Sequence, residues 1–259
     1  MTKNSLLAVG AACLLIALAA PPSVAGDNLV DANIKLIEPG ESVPVARIPD
    51  GIYLRTVNDP DDIIWERLPE YRAYLMPAPP VHESVSLRYD EEDEGKNVYF
   101  TVARTSDRFY MRLRWHDATR DTETRSDRFR DGAAVQFAIG DAETSYIMGT
   151  GPEEPVNIWY WRSDRGLVQS LAAGGPGSTT ILDQQPVTGA SLYVPDEDPE
   201  ANQWVLVMSR PLVTEGDYQV SFDRKQVPIA FALWQGHKGE RDGLKNVSED
   251  WILVDLSAE

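Results

Sequence analysis

The chain has little of several things. Among its 259 residues there is one cysteine, three histidines and six lysines. The cysteine, Cys13, lies in an N-terminal apolar stretch, LLAVGAACLLIALAA, preceded by the positive charge of Lys3 and followed by PPSVA. The stretch is too short for a comfortable membrane span, and Ser23-Val24-Ala25 is a small-x-small cleavage site. The expectation is a secretory signal cut after Ala25, with a retained N-terminal anchor as the alternative. No twin-arginine pair is present, which favours the general export route to the periplasm. Apolar residues continue beyond Cys13, arguing against lipid attachment there. The expected mature chain, a single domain over residues 26–259, then has no cysteine at all. It holds no disulfide, iron–sulfur cluster, thiolate zinc site or c-type haem joined through C-x-x-C-H. Any cofactor must be non-covalent, or bound by nitrogen, oxygen or thioether.

Positive charge is also scarce. There are 24 Lys and Arg against 41 Asp and Glu, a net charge of −17, and loss of Lys3 with the signal takes it to about −18. Nucleic acid and anionic membranes would be repelled. The acidity fits a very soluble protein or one that docks on a basic partner. Catalytic signatures are missing too: no G-x-S-x-G, no Walker loop, no dinucleotide fingerprint. His82, His116 and His237 are far apart and lack metal-ligand spacing, and the runs EEDE (91–94), EE (153–154) and DED (196–198) read as solvated turns without the D-x-[DN]-x-[DN]-G calcium pattern. Nothing points to a hydrolase or a nucleotide binder.

Short alternating segments are what the chain has in abundance. RFYMRLRW (108–115) sets Phe109, Met111, Leu113 and Trp115 on one face and Tyr110, Arg112 and Arg114 on the other, the period of a half-buried strand. NVYFTVA (97–103), GAAVQFAI (132–139), VNIWYWR (156–162), QWVLVMSR (203–210), PIAFALW (228–234) and WILVDL (251–256) read as strands in the same way, with IYLRTV (52–57) and SVSLRY (84–89) weaker. Turn-rich segments separate them. Helical periodicity is limited to PDDIIWERLPEYRAYL (60–75), and 167–203 is the most loop-like stretch. The spacing predicts an antiparallel sandwich or barrel, large enough to bury a substantial core.

Two positions stand out. Met111 and Met208 sit at alternating strand positions and read as core. Met148, in SYIMGTGPEEPVNIWYW, ends an apolar run and is followed by Gly149 and Gly151, which suit a tight turn or close approach to a flat cofactor. Lys245, in GERDGLKNVSEDW, lies in a turn-rich segment just before the last apolar run; the plain reading is a solvated loop charge.

Taken together, YIMGTG…PVNIWYW and FALWQG…GERDGLKNVSEDW resemble the haem b (gamma) subunits of type II enzymes of the dimethyl sulfoxide reductase family. That group includes ethylbenzene dehydrogenase, dimethyl sulfide dehydrogenase, selenate reductase and chlorate reductase. The likeness runs from IPDGIYLRTVNDPDDIIWERLPEY (48–71) to WILVDL, nearly all of the mature chain. It implies a two-sheet antiparallel β-sandwich with a few short helices and one non-covalent b-type haem in a pocket. Met148 and Lys245 would be the axial ligands of its iron. It further implies an electron-transfer subunit that is not itself an enzyme. Its partners would be a molybdenum-cofactor catalytic subunit, an iron–sulfur subunit and a periplasmic c-type cytochrome. Trp159 and Trp161 share one face of their strand and would either line the haem slot or belong to ordinary core. A stand-alone periplasmic b-type cytochrome and a haem-free carbohydrate-binding sandwich are the competing readings. The second requires tryptophan and tyrosine on an exposed face, with Lys245 solvated. A lysine ligand binds iron only as the neutral amine, which at pH 7 costs roughly 4–5 kcal/mol from an ordinary lysine. Lys245 is therefore expected to be desolvated.

Overall fold

A computed structural model describes residues 34–89, 93–140 and 143–257; the expected signal peptide lies outside them. Among the described residues, fifteen strands follow one another. The first four are β1 (Lys35–Leu36), β2 (Ser42–Pro44), β3 (Ala46–Arg47) and β4 (Tyr71–Pro77). The middle of the chain supplies β5 (Lys96–Arg104), β6 (Arg108–His116), β7 (Gly132–Ala138), β8 (Val156–Arg162), β9 (Leu167–Ala173) and β10 (Thr180–Ile181). The last five are β11 (Thr188–Val194), β12 (Gln203–Pro211), β13 (Gln226–Trp234), β14 (Asn246–Val247) and β15 (Ile252–Asp255). Among the described residues, helix is confined to one turn of α-helix at Glu83–Ser86 and short 3-10 turns, among them Ile63–Arg67 and Gly236–Lys238.

The strands form a two-layer sandwich. One layer runs β4-β5-β6-β12-β11 and the other β10-β9-β8-β7-β13, with β14 bonded to both β13 and β4 and so joining the layers along one rim. Further along the same rim the chain changes layers at buried Val45, where β2 pairs with β15, itself paired with β13, and β3 pairs with β5. The long strands are antiparallel, as their alternation predicts, whereas the short N-terminal strands β1, β2 and β3 pair in parallel.

Alternation decides which side chains meet between the layers. Phe100 of β5 packs on Phe231 of β13 at 4.9 Å, and Trp161 of β8 on Trp204 of β12 at 4.9 Å. Trp115, Trp159 and Trp161 are fully buried here, each such aromatic contributing roughly 2–3 kcal/mol by area. Met111 and Met208 are paired in register in the same core. The layer of β7, β8 and β13 is covered on its outer face as well. That is why GAAVQFA is buried at every position instead of alternately. The covering material is loop, and the space beneath it is the candidate site.

A buried acidic group sits at the end of β6. The Asp117 side chain is fully buried; one carboxylate oxygen faces His237 Nδ1 at 3.3 Å and the other has no partner. Burial, with the nearby charge of Asp131, raises its pKa. A carboxyl held above its unfolded value favours the native state at acid pH and loses that contribution as pH rises through its folded value. Thermal stability should therefore fall between about pH 5 and 8 in the wild type. Asp117→Asn should flatten this slope, gaining roughly 1–3 kcal/mol at pH 8 and little at pH 5; calorimetry across pH checks it, and parallel profiles for the two proteins would refute it.

Candidate cofactor site

The outer face of the β7–β8–β13 layer carries small residues at its centre. Ala134 of β7 is paired in register with Ala232 of β13, and Ala230 and Gln136 are paired two residues further on. Around these alanines stand Ile158 and Tyr160 of β8, Leu171 of β9 and Trp234 of β13. Loops cover the floor, and between them and it lies a cavity of about 560 Å³ with a largely apolar lining. Its size is that of a small-molecule or cofactor site.

Met148 enters from one side. The turn that carries it is tied to the layer by Gln136 Nε2, which donates to the Tyr146 carbonyl at 2.8 Å, and by Trp251 Nε1, which donates to the Thr144 carbonyl at 2.6 Å. Met148 has φ 60, a left-handed conformation that costs a side-chain-bearing residue about 1–2 kcal/mol. Its carbonyl accepts from Gly175 N–H at 2.7 Å, and Gly149 N–H donates to the Ser145 carbonyl at 2.9 Å. A Cβ on Gly149 would lie 2.9 Å from the Ala173 carbonyl oxygen and 3.2 Å from the Gly174 Cα. The glycine is thus explained by backbone packed on backbone, which aims Met148 into the cavity; of the two uses open to it, the tight turn is the one realised.

Lys245 enters from the opposite side, on the turn before β14. Its carbonyl accepts from Ala78 N–H at 2.8 Å, and Trp234 Nε1 donates to the Asp242 carbonyl at 3.2 Å. Gly243 abuts Val85, whose Cγ2 would sit 2.8 Å from any added Cβ. The Lys245 nitrogen lies 4.9 Å from the centre of the Trp234 ring, a cation–π contact while it is charged. Burial pushes its pKa down to about 8, partly opposed by Asp242. Deprotonation at pH 7 then costs about 1–2 kcal/mol, far less than for a solvated lysine.

The two side chains meet. Lys245 Nζ is 3.9 Å from Met148 Sδ, although 97 residues separate them in sequence. Two donors each about 2 Å from one metal span about 4 Å, so the gap matches a single ion held between them. A thioether and a neutral amine in an apolar cavity suit a soft or borderline metal within a flat organic ring. Elsewhere among the described residues, no cluster of three or more His, Cys, Asp or Glu side chains could hold a metal ion.

Two points that the sequence left open are answered here. Trp159 and Trp161 point into the inter-layer core and not into the cavity; the register of β8 presents Ile158 and Tyr160 instead. The exposed face of tryptophan and tyrosine required for sugar binding has no tryptophan among the described residues, although Tyr53, Tyr74 and Tyr218 are exposed. Trp65, Trp115, Trp159, Trp161, Trp204 and Trp251 are buried, and Trp234 lines the cavity. The loop at 78–85 and the small floor residues escaped the sequence reading. The coincidence of Ala134, Ala230 and Ala232 on the outward faces of β7 and β13 is the signal that would have found the floor.

The model of a protein family described as ethylbenzene dehydrogenase matches residues 62–200, more than half of the chain. The chain belongs to the ethylbenzene dehydrogenase family. The matched segment contains Met148 and stops short of Lys245. Whole-chain relatives extend the likeness. The gamma subunit of dimethylsulfide dehydrogenase from Rhodovulum sulfidophilum is 57% identical over 254 residues, covering 98% of this chain and 95% of that one. The gamma subunit of chlorate reductase from Ideonella dechloratans is 34% identical over 195 residues, covering 74% and 77%. A Haloferax mediterranei protein proposed as a respiratory nitrate reductase heme subunit is 31% identical over 249 residues, covering 95% and 83%. The resemblance to the gamma-subunit family is borne out by the family match together with the gamma-subunit relatives. No helix among the described residues is long and apolar enough to cross a membrane.

Proposed function

We propose that this ethylbenzene dehydrogenase family member holds one non-covalent b-type haem in the outer cavity, with Met148 and Lys245 as its axial ligands. The single observation carrying the reading is the pair of donor atoms 3.9 Å apart across an apolar cavity. The relatives named as gamma or heme subunits support it. When bound, the haem supplies a one-electron couple. The chain's own residues do the rest. Met148 offers a soft neutral donor that favours the reduced metal. Lys245 offers an amine already largely relieved of its proton cost. The apolar floor and covering loops keep water from the metal. With Met148 and Lys245 both on the metal, no site would be open to substrate or oxygen.

The role that follows is electron transfer inside a larger assembly. The chain accepts or delivers electrons through the iron–sulfur subunit of a molybdenum oxidoreductase, whose catalytic subunit performs the reaction, and exchanges them with a periplasmic c-type cytochrome. A signal peptide cut after Ala25 and a single exported domain over residues 26–259 belong to the same reading. Purified exported protein should contain about one acid-extractable haem per chain, six-coordinate in both redox states, and two larger subunits should co-purify with it. A colourless protein, or a ferrous form that binds carbon monoxide readily, would refute the ligation.

The excess of acidic side chains predicts how a basic cytochrome is met. Steering speeds the encounter, so its screening should lower the electron-exchange rate by roughly 10-fold or more between low and physiological salt. Stopped-flow measurements at graded ionic strength test this, and a rate independent of salt removes the steering.

A further inference from the structure

The apolar cavity poses a problem for any haem placed in it. Haem b has two propionate carboxylates on one edge, and a carboxylate left in an apolar wall is strongly disfavoured. Apart from His82, the charged side chains on the cavity lining are Lys245, whose nitrogen faces Met148, and Asp242, which repels an anion. The polar groups of the floor are engaged: Gln136 donates to Tyr146, and Ser248 Oγ accepts from Phe231 N–H.

A second hollow, of about 350 Å³, adjoins the first, and the two share Ala78 and Lys245 in their walls. These two shared residues are joined by the hydrogen bond from the Ala78 N–H to the Lys245 carbonyl, 2.8 Å. The chemistry of the second hollow is different. Arg88 and Lys238 line it, together with Asp93 and Glu240. Both acids are matched: Asp93 lies 3.4 Å from Lys238, and Glu240 pairs with buried Lys96. Arg88 is exposed and has no carboxylate partner among the described residues. An exposed arginine with no carboxylate partner among the described residues, beside an apolar cavity, is a ready partner for an incoming anion.

We infer that this second hollow is the propionate-binding end of the cofactor site, with Arg88 as principal partner and Lys238 as second cation. The inference rests on the haem reading above. It gives the cofactor a direction, with the macrocycle over Ala134 and Ala232 and the carboxylates toward Arg88. It also gives the site selectivity for a porphyrin bearing free acids.

Spectroscopic titration of the haem-depleted full chain with haem b, and separately with haem dimethyl ester, tests this. The ester keeps the macrocycle and metal but cannot pair with a cation. Wild type should bind haem b roughly 10-fold or more tightly than the ester. The double variant Arg88→Ala, Lys238→Ala should lose that preference while binding the ester as wild type does, with an unchanged six-coordinate spectrum. Arg88→Lys should keep part of the preference. Arg130→Ala, beyond the Tyr160 hydroxyl at 3.4 Å, should keep all of it. Equal affinities in wild type, a preference surviving in the double variant, or a preference lost in Arg130→Ala would each overturn the inference. Failure of the haem reading looks different: neither porphyrin would give a six-coordinate spectrum with wild type.

Discussion

Replacing either donor should change the metal spectrum more than any other single substitution in the chain. Lys245→Ala is expected to leave a folded protein whose haem is five-coordinate or water-ligated and reactive toward carbon monoxide. Met148→Ala should do the same on the opposite side and also lower the reduction potential. The potential should fall by roughly 100 mV or more, since the thioether is the ligand that favours reduced iron and 59 mV is a tenfold change in a one-electron equilibrium. Neither change should unfold the protein, because neither side chain belongs to the inter-layer core. Lys245 stands on a turn, and Met148 relaxes a left-handed backbone no better as alanine. Absorption spectra with and without carbon monoxide, together with redox titration, decide the matter. A variant with wild-type spectrum and potential would remove that residue from the ligand set.

The second large effect comes from the floor. Ala232→Leu introduces a branched side chain where two neighbouring strands present paired alanines to the cavity. The added atoms project away from the core, so stability should stay within about 1 kcal/mol of wild type or rise slightly. Cofactor affinity should fall by at least about 100-fold, because the space a rigid ring would occupy is gone. Haem content per chain and thermal unfolding of the same preparation separate the two effects. Full haem loading in this variant would place the cofactor somewhere else.

The sequence was most legible where a strand is long and covered on one face. The alternation in RFYMRLRW and QWVLVMSR reads directly as β6 and β12, which pair along their whole length. It was least legible where apolar and polar residues do not alternate or where side chains stay exposed. β9 is mostly buried but opens with exposed Leu167 and sets Gln169, Ser170 and two alanines among Val168 and Leu171, and β11 is an edge strand of partly exposed side chains. Both lie in a stretch that reads as loop. The segment 60–75 has apolar spacing that suits a helix, yet only Ile63–Arg67 makes a helical turn. Tyr71–Pro77 is drawn into β4 by pairing with β5. Ile52 and Tyr53 are exposed loop residues, not a strand, and 83–86 is a single helical turn. The site followed different rules. Met148 and Lys245 were found by their motifs, since no periodicity links residues 97 apart. The direction of Trp159 and Trp161 depends on the register of β8, which the sequence leaves open because both faces of that strand are apolar.

The two-residue strand after Lys245 is hydrogen-bonded to β13 on one side and to β4 on the other. A metal bond at Lys245 would therefore clasp the sandwich shut along that rim, drawing Met148 on its far-off loop toward the seam. Loading the prosthetic group and fastening the fold become one event. A partner subunit pressing on this rim would reach the redox centre mechanically as well as electronically.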